Sequence, residues 1–570
     1  MTSDSNSYTV ANCPRTDVSF AVSEFPTQRE NDPQARWLLY RSGMTRAFLL
    51  GFIFLTAACG GKSFESLCVS QVPAPAACNT PCDPSMANTC PASFHCSSNG
   101  KCDTLCTQTG NECGDGYSCT PDGYCQKGEG NGCTGLQCNV TDCQAMNMPA
   151  TTITGTVFAP NGMLPLYGVS VYVPNSDPGP FQPGVQCGSC ASGLPGDPIA
   201  QTTTDDMGRF TLTDVPSGAN IPVVITIGKW RRQIKISNVA ACTTQALAPA
   251  DTSLPKSHDD MTPNTTSVDM PQIAISTGSA DSLECLVRRL GIADKEITTD
   301  AQSGKIHLFA DTMATQGNNS GVGVKSFDAG FGGGTGNFSD AQTLWGNATN
   351  AGKLSNYDIV ILSCEGAQHA ETKPQQAMDH LKTYADLGGR VFLSHWHNIW
   401  LEGATQAGNG TKPTVWPGIA QFSNNTSGGP TTDTIDEVNN PKGASFASWM
   451  LNVGGSPPGM RDSIPIQNNT GKNTCTSVTP GKGEQWVYWQ NGPTRLAQNF
   501  QFTTPNEGAP ETRCGKVVFS DMHVSGGPVS NNNIIPPYPT SCGAATTLSP
   551  QEKALAFMFF DISSCVGVLF

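Results

Sequence analysis

Tyr357-Asp-Ile-Val-Ile-Leu-Ser-Cys-Glu-Gly366 decides how the carboxyl-terminal half folds. Ile359 to Leu362 run apolar without alternation, which suits a strand covered on both faces, and a polar elbow carrying a thiol and a carboxylate follows at once. The same grammar recurs in Gly388-Gly-Arg-Val-Phe-Leu-Ser-His-Trp-His-Asn398 and in Gly515-Lys-Val-Val-Phe-Ser-Asp-Met-His-Val524. Working outward, Gln272 to Ile275 and Lys305 to Ala310 read as two further strands. Leu283, Leu286, Val287 and Leu290 recur at helical spacing and Gly291 stops that helix; a second helix around Met378–Leu387 ends at Gly388-Gly389. Ser549-Pro-Gln-Glu552 is a capping box opening a last helix through Phe560. Strands alternating with helices predict an α/β domain over 271–570 built on a mostly parallel sheet. The Gly/Asn/Thr-rich stretches near 311–337 and 403–440 are predicted surface loops.

Ahead of it, residues 150–245 alternate with the period of strands: Thr152–Val157, Gly168–Val173, then Thr204–Leu212, where Asp205 and Gly208 make a hairpin turn and Phe210 and Leu212 share a face. This predicts an all-β sandwich. Residues 246–270, rich in Pro, Ser, Thr and Asp, read as a linker. Cys187-Gly-Ser-Cys190 falls in an inserted loop and reads as a structural bridge in preference to a redox pair.

Residues 59–145 hold a repeat in which Cys82, Cys90, Cys96 and Cys102 are followed by Cys106, Cys113, Cys119 and Cys125. The halves Cys90-x5-Cys96-x5-Cys102 and Cys113-x5-Cys119-x5-Cys125 match, each with an aromatic (Phe94, Tyr117) before the middle cysteine and a glycine (Gly100, Gly123) before the last. Such units bury little apolar surface and need disulfides, each contributing roughly 2–4 kcal/mol; they lack the close Cys pairs of zinc modules. Thirteen cysteines lie between Cys68 and Cys143, an odd number, so at least one pairs elsewhere or stays free.

Met44–Cys59, MTRAFLLGFIFLTAAC, supplies the compartment. Arg46, a short apolar run and Ala57-Ala58-Cys59 read as a bacterial lipoprotein signal (44–58) with Cys59 as the acylated residue, leaving 1–43 as an over-extended, disordered start. The run is too short to span a bilayer. Export explains 24 cysteines, which in a reducing cytosol would make no sense as staples. The predicted location is the cell envelope, lipid-anchored, in the outer membrane and facing periplasm or exterior. Only 14% of residues are charged and the net charge is −14; this balance argues against a nucleic-acid partner. The one basic run, Lys229-Trp-Arg-Arg232, reads as a solvated strand end.

Ligands of open α/β sheets bind past the carboxyl ends of the strands. There the sequence places Asp311, then Cys364 and Glu365, then His395 and His397, then Asp521 and His523. Two constellations emerge. Cys364 is a disulfide partner or, as the resemblance of YDIVILSCEG to the elbow of class I glutamine amidotransferases implies, a nucleophile, with His395 or His523 as base and Glu365 or Asp521 orienting it. Alternatively His395, His397, Asp521 and His523 form a His/Asp set for a divalent metal, the one cofactor the sequence suggests. Trp396 and Trp400 beside them are either a sugar-stacking platform or core.

The Thr204–Gly218 pattern T-D-x-x-G-x-F-x-L-x-x-V-P-x-G resembles the carboxypeptidase regulatory-like domain, a transthyretin-like Greek-key sandwich that carries no catalytic residues; no peptidase zinc motif accompanies it. The Cys-rich units resemble small EGF-like or Dickkopf-like knots. The segments around Cys364, His395 and His523 resemble the class I glutamine-amidotransferase-like superfamily, in particular its ThuA-like branch, which implies a flavodoxin-like fold with Cys364 on the elbow. Leu362 stands where that elbow carries a glycine, and the usual H-x-E is absent. The whole order resembles uncharacterised bacterial surface lipoproteins. It implies a cell-envelope protein that binds a glycan or a surface protein, or else an extracytoplasmic hydrolase working through Cys/His or a His/Asp-held metal.

Overall fold

The structure, a computed structural model, describes residues 78, 80–82, 95–96, 101–103, 117–119, 125–127, 133–188, 190, 193–315, 322–404, 414–423, 428–467, 470–525, 527–528 and 534–566. The leader 1–43, the signal segment 44–58, Cys59, Cys90, Cys106 and Cys113 lie outside the described residues. Two compact units separate at Leu105/Cys106, between the two Cys-rich repeats. In the first unit His95–Cys96 pairs antiparallel with Cys102–Asp103, setting Cys96 opposite Cys102. In the second, Tyr117–Cys119 pairs with Cys125–Lys127, setting Cys119 opposite Cys125. The sequence repeat is therefore a repeat of hairpins. Cys78, Cys82 and Cys102 are disulfide-bonded.

Within the second unit, Ser170–Pro174, Pro198–Thr203, Gly218–Ile227, Trp230–Val239 and Thr265–Asp269 make a five-stranded sheet, and Thr152–Thr156, Arg209–Leu212 and Thr244–Ala246 a three-stranded one. Phe210 and Leu212 point into the core while Arg209 and Thr211 face solvent, as their alternation predicts. The Asp205–Gly208 turn closes locally, Asp205 N–H donating to the Arg209 carbonyl at 2.9 Å. It is not a simple hairpin turn, because its flanking strands part into different sheets.

Two expectations are corrected here. Residues 246–270 are no free linker: they supply the helix Pro249–Thr252 and the edge strand Thr265–Asp269, paired with Arg231–Ile234. The basic run is no solvated strand end either. Arg231 and Arg232 are 2% and 1% exposed, and the former linker satisfies them: Arg231 meets Asp269 at 2.8 Å, and Arg232 meets Asp260 at 2.5 Å and the Thr265 hydroxyl at 2.8 Å. A buried guanidinium left without such partners would be strongly destabilising, so the polar segment folds back.

The carboxyl-terminal sheet runs Ile297–Thr298, Ile306–Ala310, Ile273–Ser276, Ile359–Leu362, Arg390–Ser394 and Gly515–Ser520, all parallel. It then continues antiparallel through Thr494–Thr504, Glu484–Asn491, Thr432–Ile435 and Ser463–Pro465. The apolar runs are explained by cover on both faces. Val360, Leu362, Val391 and Leu393 pack with Met378 and Leu381 of the helix Gln375–Asp386. Ile359, Ile361, Phe392 and Val518 face the other way, into a core shared with the helices Glu284–Arg289 and Pro550–Ser563 and with the sandwich itself. Ser549 caps the last helix in the expected capping box. The stretch 403–440, expected as surface loop, contributes the strands Ala420–Phe422 and Thr432–Ile435, and Val322, Val324 and Phe327 of the other predicted loop are buried.

Disulfides lock this arrangement. Cys143–Cys242 closes the sandwich and gives the odd cysteine of the amino-terminal cluster its partner. Cys133–Cys138 and Cys285–Cys542 are local and domain-spanning staples respectively. Cys187 and Cys190 do not bridge each other. Cys187 joins Cys514 and Cys190 joins Cys565, so the inserted loop of the sandwich is stapled twice to the α/β part.

Candidate functional site

Three strand ends converge. Cys364 follows Ile359–Leu362, His395 follows Arg390–Ser394, and His523 lies just past Gly515–Ser520. One ligating atom from each, all within 4.8 Å of one another, form a cluster. Cys364 Sγ stands 3.4 Å from His395 Nδ1, and the two imidazole rings lie 5.0 Å apart in an edge-on arrangement. Burial is nearly complete, at 0%, 2% and 1% exposure for Cys364, His395 and His523. Cys364 is a free thiol, which corrects the disulfide alternative.

The backbone is shaped to bring these groups together. His395 takes a φ of +43°, a left-handed conformation uncommon outside glycine and often found at functional sites. Gly278 lies so close beneath the elbow that a Cβ there would meet the Cys364 carbonyl oxygen at 2.3 Å. Asp281, which the sequence reading did not single out, ties the strand ends together. Its carboxylate accepts from the Ser394 hydroxyl at 2.9 Å and from the Val524 and Ser282 N–H groups at 3.0 and 3.1 Å. It therefore fixes the residue before His395 and the residue after His523. Asp281 sits in the loop past Ile273–Ser276, so the strand-end rule that found the other residues also covered it.

The remaining candidates go elsewhere. His397 Nδ1 accepts from Trp400 Nε1 at 3.0 Å while its Nε2 donates to the Ser363 carbonyl at 2.9 Å, so both ring nitrogens are engaged. Its removal from the metal set has a geometric cause: His395–Asn398 is a 3-10 turn, in which residues two apart point roughly 120° away from each other. Asp521 accepts from Thr474 Oγ1 at 2.7 Å and from the Cys475 N–H at 2.8 Å and touches neither imidazole. Glu365 pairs with the buried Lys373 ammonium at 2.5 Å. Neither carboxylate orients a histidine. Trp396 and Trp400 are 7% and 0% exposed and pack as core, which removes the sugar platform.

Electrostatics keep the centre neutral. Burial pushes the Cys364 thiol up to about 12, against the opposing pull of the Trp396 and Gly366 backbone N–H groups. Burial holds His395 well below the usual histidine range, with His523 and Lys472 adding to the effect, and takes His523 down to about 3. The Ala280 backbone opposes the downward shift of His523, and Nε2 of both His395 and His523 is buried without a partner.

At the start of the helix Glu284–Arg289, Glu284 is fully buried with both carboxylate oxygens unpartnered, and burial raises it to about 8. A folded-state value above the unfolded one means the native protein holds an extra proton. That contribution is fully present below about pH 4.3 and is lost as pH rises toward 8. Glu284→Gln is expected to remove this slope and to raise stability at pH 8 by up to a few kcal/mol, read from urea unfolding midpoints between pH 5 and 8.

A cavity of about 490 Å³ opens elsewhere, at the amino ends of the parallel strands beside Asp358 and Arg390, where the stapled loop docks. Of its charged lining, Lys229 pairs with Asp358 at 2.6 Å and Arg231 with Asp269, while Arg390 donates to the Gly388 and Cys514 carbonyls.

No family model matches the chain, and no curated protein does. Among solved structures, two interface mutants of a type II cohesin–X-dockerin complex from Acetivibrio cellulolyticus align over 27% of this chain and 79% of theirs. Identity is 18% and 16%, and the TM-score is 0.13 for both, which gives the likeness no bearing on fold or function.

Proposed function

We propose that the chain is an exported cell-envelope protein, lipid-anchored through Cys59 in the outer membrane, that holds a ligand at the strand ends of its α/β part. On this reading the sandwich is a transthyretin-like Greek-key accessory domain of the carboxypeptidase regulatory type. The sheet is a flavodoxin-like, amidotransferase-like domain, and the Cys-rich hairpins are a stalk. The observation that carries the reading is the pair of bridges Cys187–Cys514 and Cys190–Cys565, which close loops of 327 and 375 residues and would not persist in a reducing cytosol.

Binding is favoured over catalysis by the state of the centre. A cysteine nucleophile needs a lowered pKa and a base that is itself oriented. Here burial raises the thiol, and Glu365 and Asp521 are engaged elsewhere. With Trp396 and Trp400 buried, a glycan at the strand ends would not be held by stacking on these rings. The 3.4 Å approach of Cys364 to His395 favours a second reading, a thiol hydrolase.

Detergent phase partitioning of the native protein tests the export reading. Wild type is expected in the detergent phase and the Cys59→Ala variant in the aqueous phase. Native chain found unacylated in the cytosol with reduced cysteines would overturn it. Turnover of ester or amide substrates that vanishes in Cys364→Ala would replace binding by hydrolysis.

A further inference from the structure

We infer that Cys364, His395 and His523 form a site for a closed-shell, thiophilic transition-metal ion, zinc(II) or copper(I). The inference rests on the binding reading only in taking the strand-end cluster as a ligand site. Ligand atoms sharing such an ion, at bond lengths of about 2.0–2.3 Å, sit roughly 3.3–3.8 Å apart. Cys364 Sγ and His395 Nδ1 already stand at 3.4 Å, and no pair in the cluster exceeds 4.8 Å, so small side-chain adjustments complete the set.

Three further observations point the same way. Nε2 of His523, a buried imidazole nitrogen, lacks a partner, a state that is unfavourable in a dry interior, while His395 faces Cys364 through Nδ1. The Ala280 backbone acts electrostatically on His523, the kind of outer support that ligating histidines usually receive. The third is selective reduction: of the cysteines whose side chains are described, only Cys364 and Cys475 are unbridged, and only Cys364 has imidazoles beside it. A thiolate with two imidazoles suits zinc or copper and gives little to magnesium or calcium, which take oxygen ligands. The set is not the one the sequence suggested, since His397 and Asp521 are spent on other bonds. On binding, the Cys364 S–H bond breaks as the sulfur–metal bond forms, and one proton per ion passes to solvent.

The test uses the detergent-solubilised full chain, stripped of metal and kept under argon. In one arm cobalt(II) is titrated as a zinc reporter and then displaced by zinc; in the other, copper(I) is competed against bicinchoninate. We expect one equivalent bound, one proton released and, with cobalt, a thiolate-to-metal charge-transfer band. Cys364→Ser is expected to abolish the band, and Cys364→Ser and His523→Gln each to weaken binding by more than about 100-fold, beyond what changes outside the ligand set produce. Cys475→Ser should leave both unchanged. The arm with the tighter ion names the metal.

Folded wild type that takes up neither ion, or that shows the band in Cys364→Ser but not in Cys475→Ser, would overturn the inference. Should a variant fail to fold, the wild-type band and its proton release still decide. Membrane partitioning is read separately, so metal-free protein that still partitions into detergent would sink this site and leave the export reading standing.

Discussion

Replacing Cys187 and Cys190 together by serine is expected to lower the unfolding free energy by about 4–8 kcal/mol, at about 2–4 kcal/mol per bridge. The bridges close loops of 327 and 375 residues, so on loop-closure grounds they stand at the strong end of what a disulfide contributes. Neither bridge duplicates the other. One meets Cys514 at the lead-in to the strand Gly515–Ser520, and the other meets Cys565 just past the helix Pro550–Ser563. Losing both frees the inserted loop from the end of the sheet where Asp358 and Arg390 lie. Chemical unfolding followed by tryptophan fluorescence reads the effect. The wild type is expected to unfold in one transition across residues 133–566, and the variant at lower denaturant. An unchanged midpoint would mean that the loop is held by packing alone.

The second large effect is Trp230→Ala, expected to cost about 3–5 kcal/mol. Trp230 is wholly buried where the sandwich meets the last helix, its ring 6.5 Å from Phe559 and 6.2 Å from Phe560. The turn before it is equally tight. Gly228 has a φ of +55°, and a Cβ there would sit 2.1 Å from the Ser563 carbonyl oxygen. Removing the indole opens a cavity in a core that belongs to both parts at once, so neither part can relax around it independently. Calorimetry should show a lowered melting temperature with the transition still single if the bridges persist. A loss below about 1 kcal/mol would mean that the interface is loosely packed there.

The parts of this fold written in continuous apolar runs were legible in the sequence. Ile359–Leu362 and Arg390–Ser394 each place alternate residues in two different cores, and nothing but a doubly covered strand suits such a run. Thr494–Thr504 escaped notice for the opposite reason. It is the longest strand described and is mostly buried, yet it carries Gln498, Asn499 and Gln501 inside the sheet, so its composition reads as loop. The segment 246–270 was misread similarly, because its polar residues are spent on two buried arginines and not on water.

The site was half legible. Placing residues past the strand ends found Cys364, His395 and His523. It could not tell which neighbours turn inward, since that depends on a 3-10 turn at His395 and on Thr474 and Cys475 capturing Asp521. The cross-chain pairing of Cys187 and Cys190 was equally out of reach, because spacing alone favours the local bridge.

Disulfide mapping by mass spectrometry, on native protein whose thiols are blocked under denaturing conditions before digestion, tests the central claim most directly. The expected map joins Cys187 to Cys514, Cys190 to Cys565, Cys285 to Cys542 and Cys143 to Cys242, with Cys364 recovered carrying the blocking group. A Cys187–Cys190 bridge, or Cys364 recovered in a disulfide, would contradict both the stapled architecture and the thiol–imidazole centre built on it.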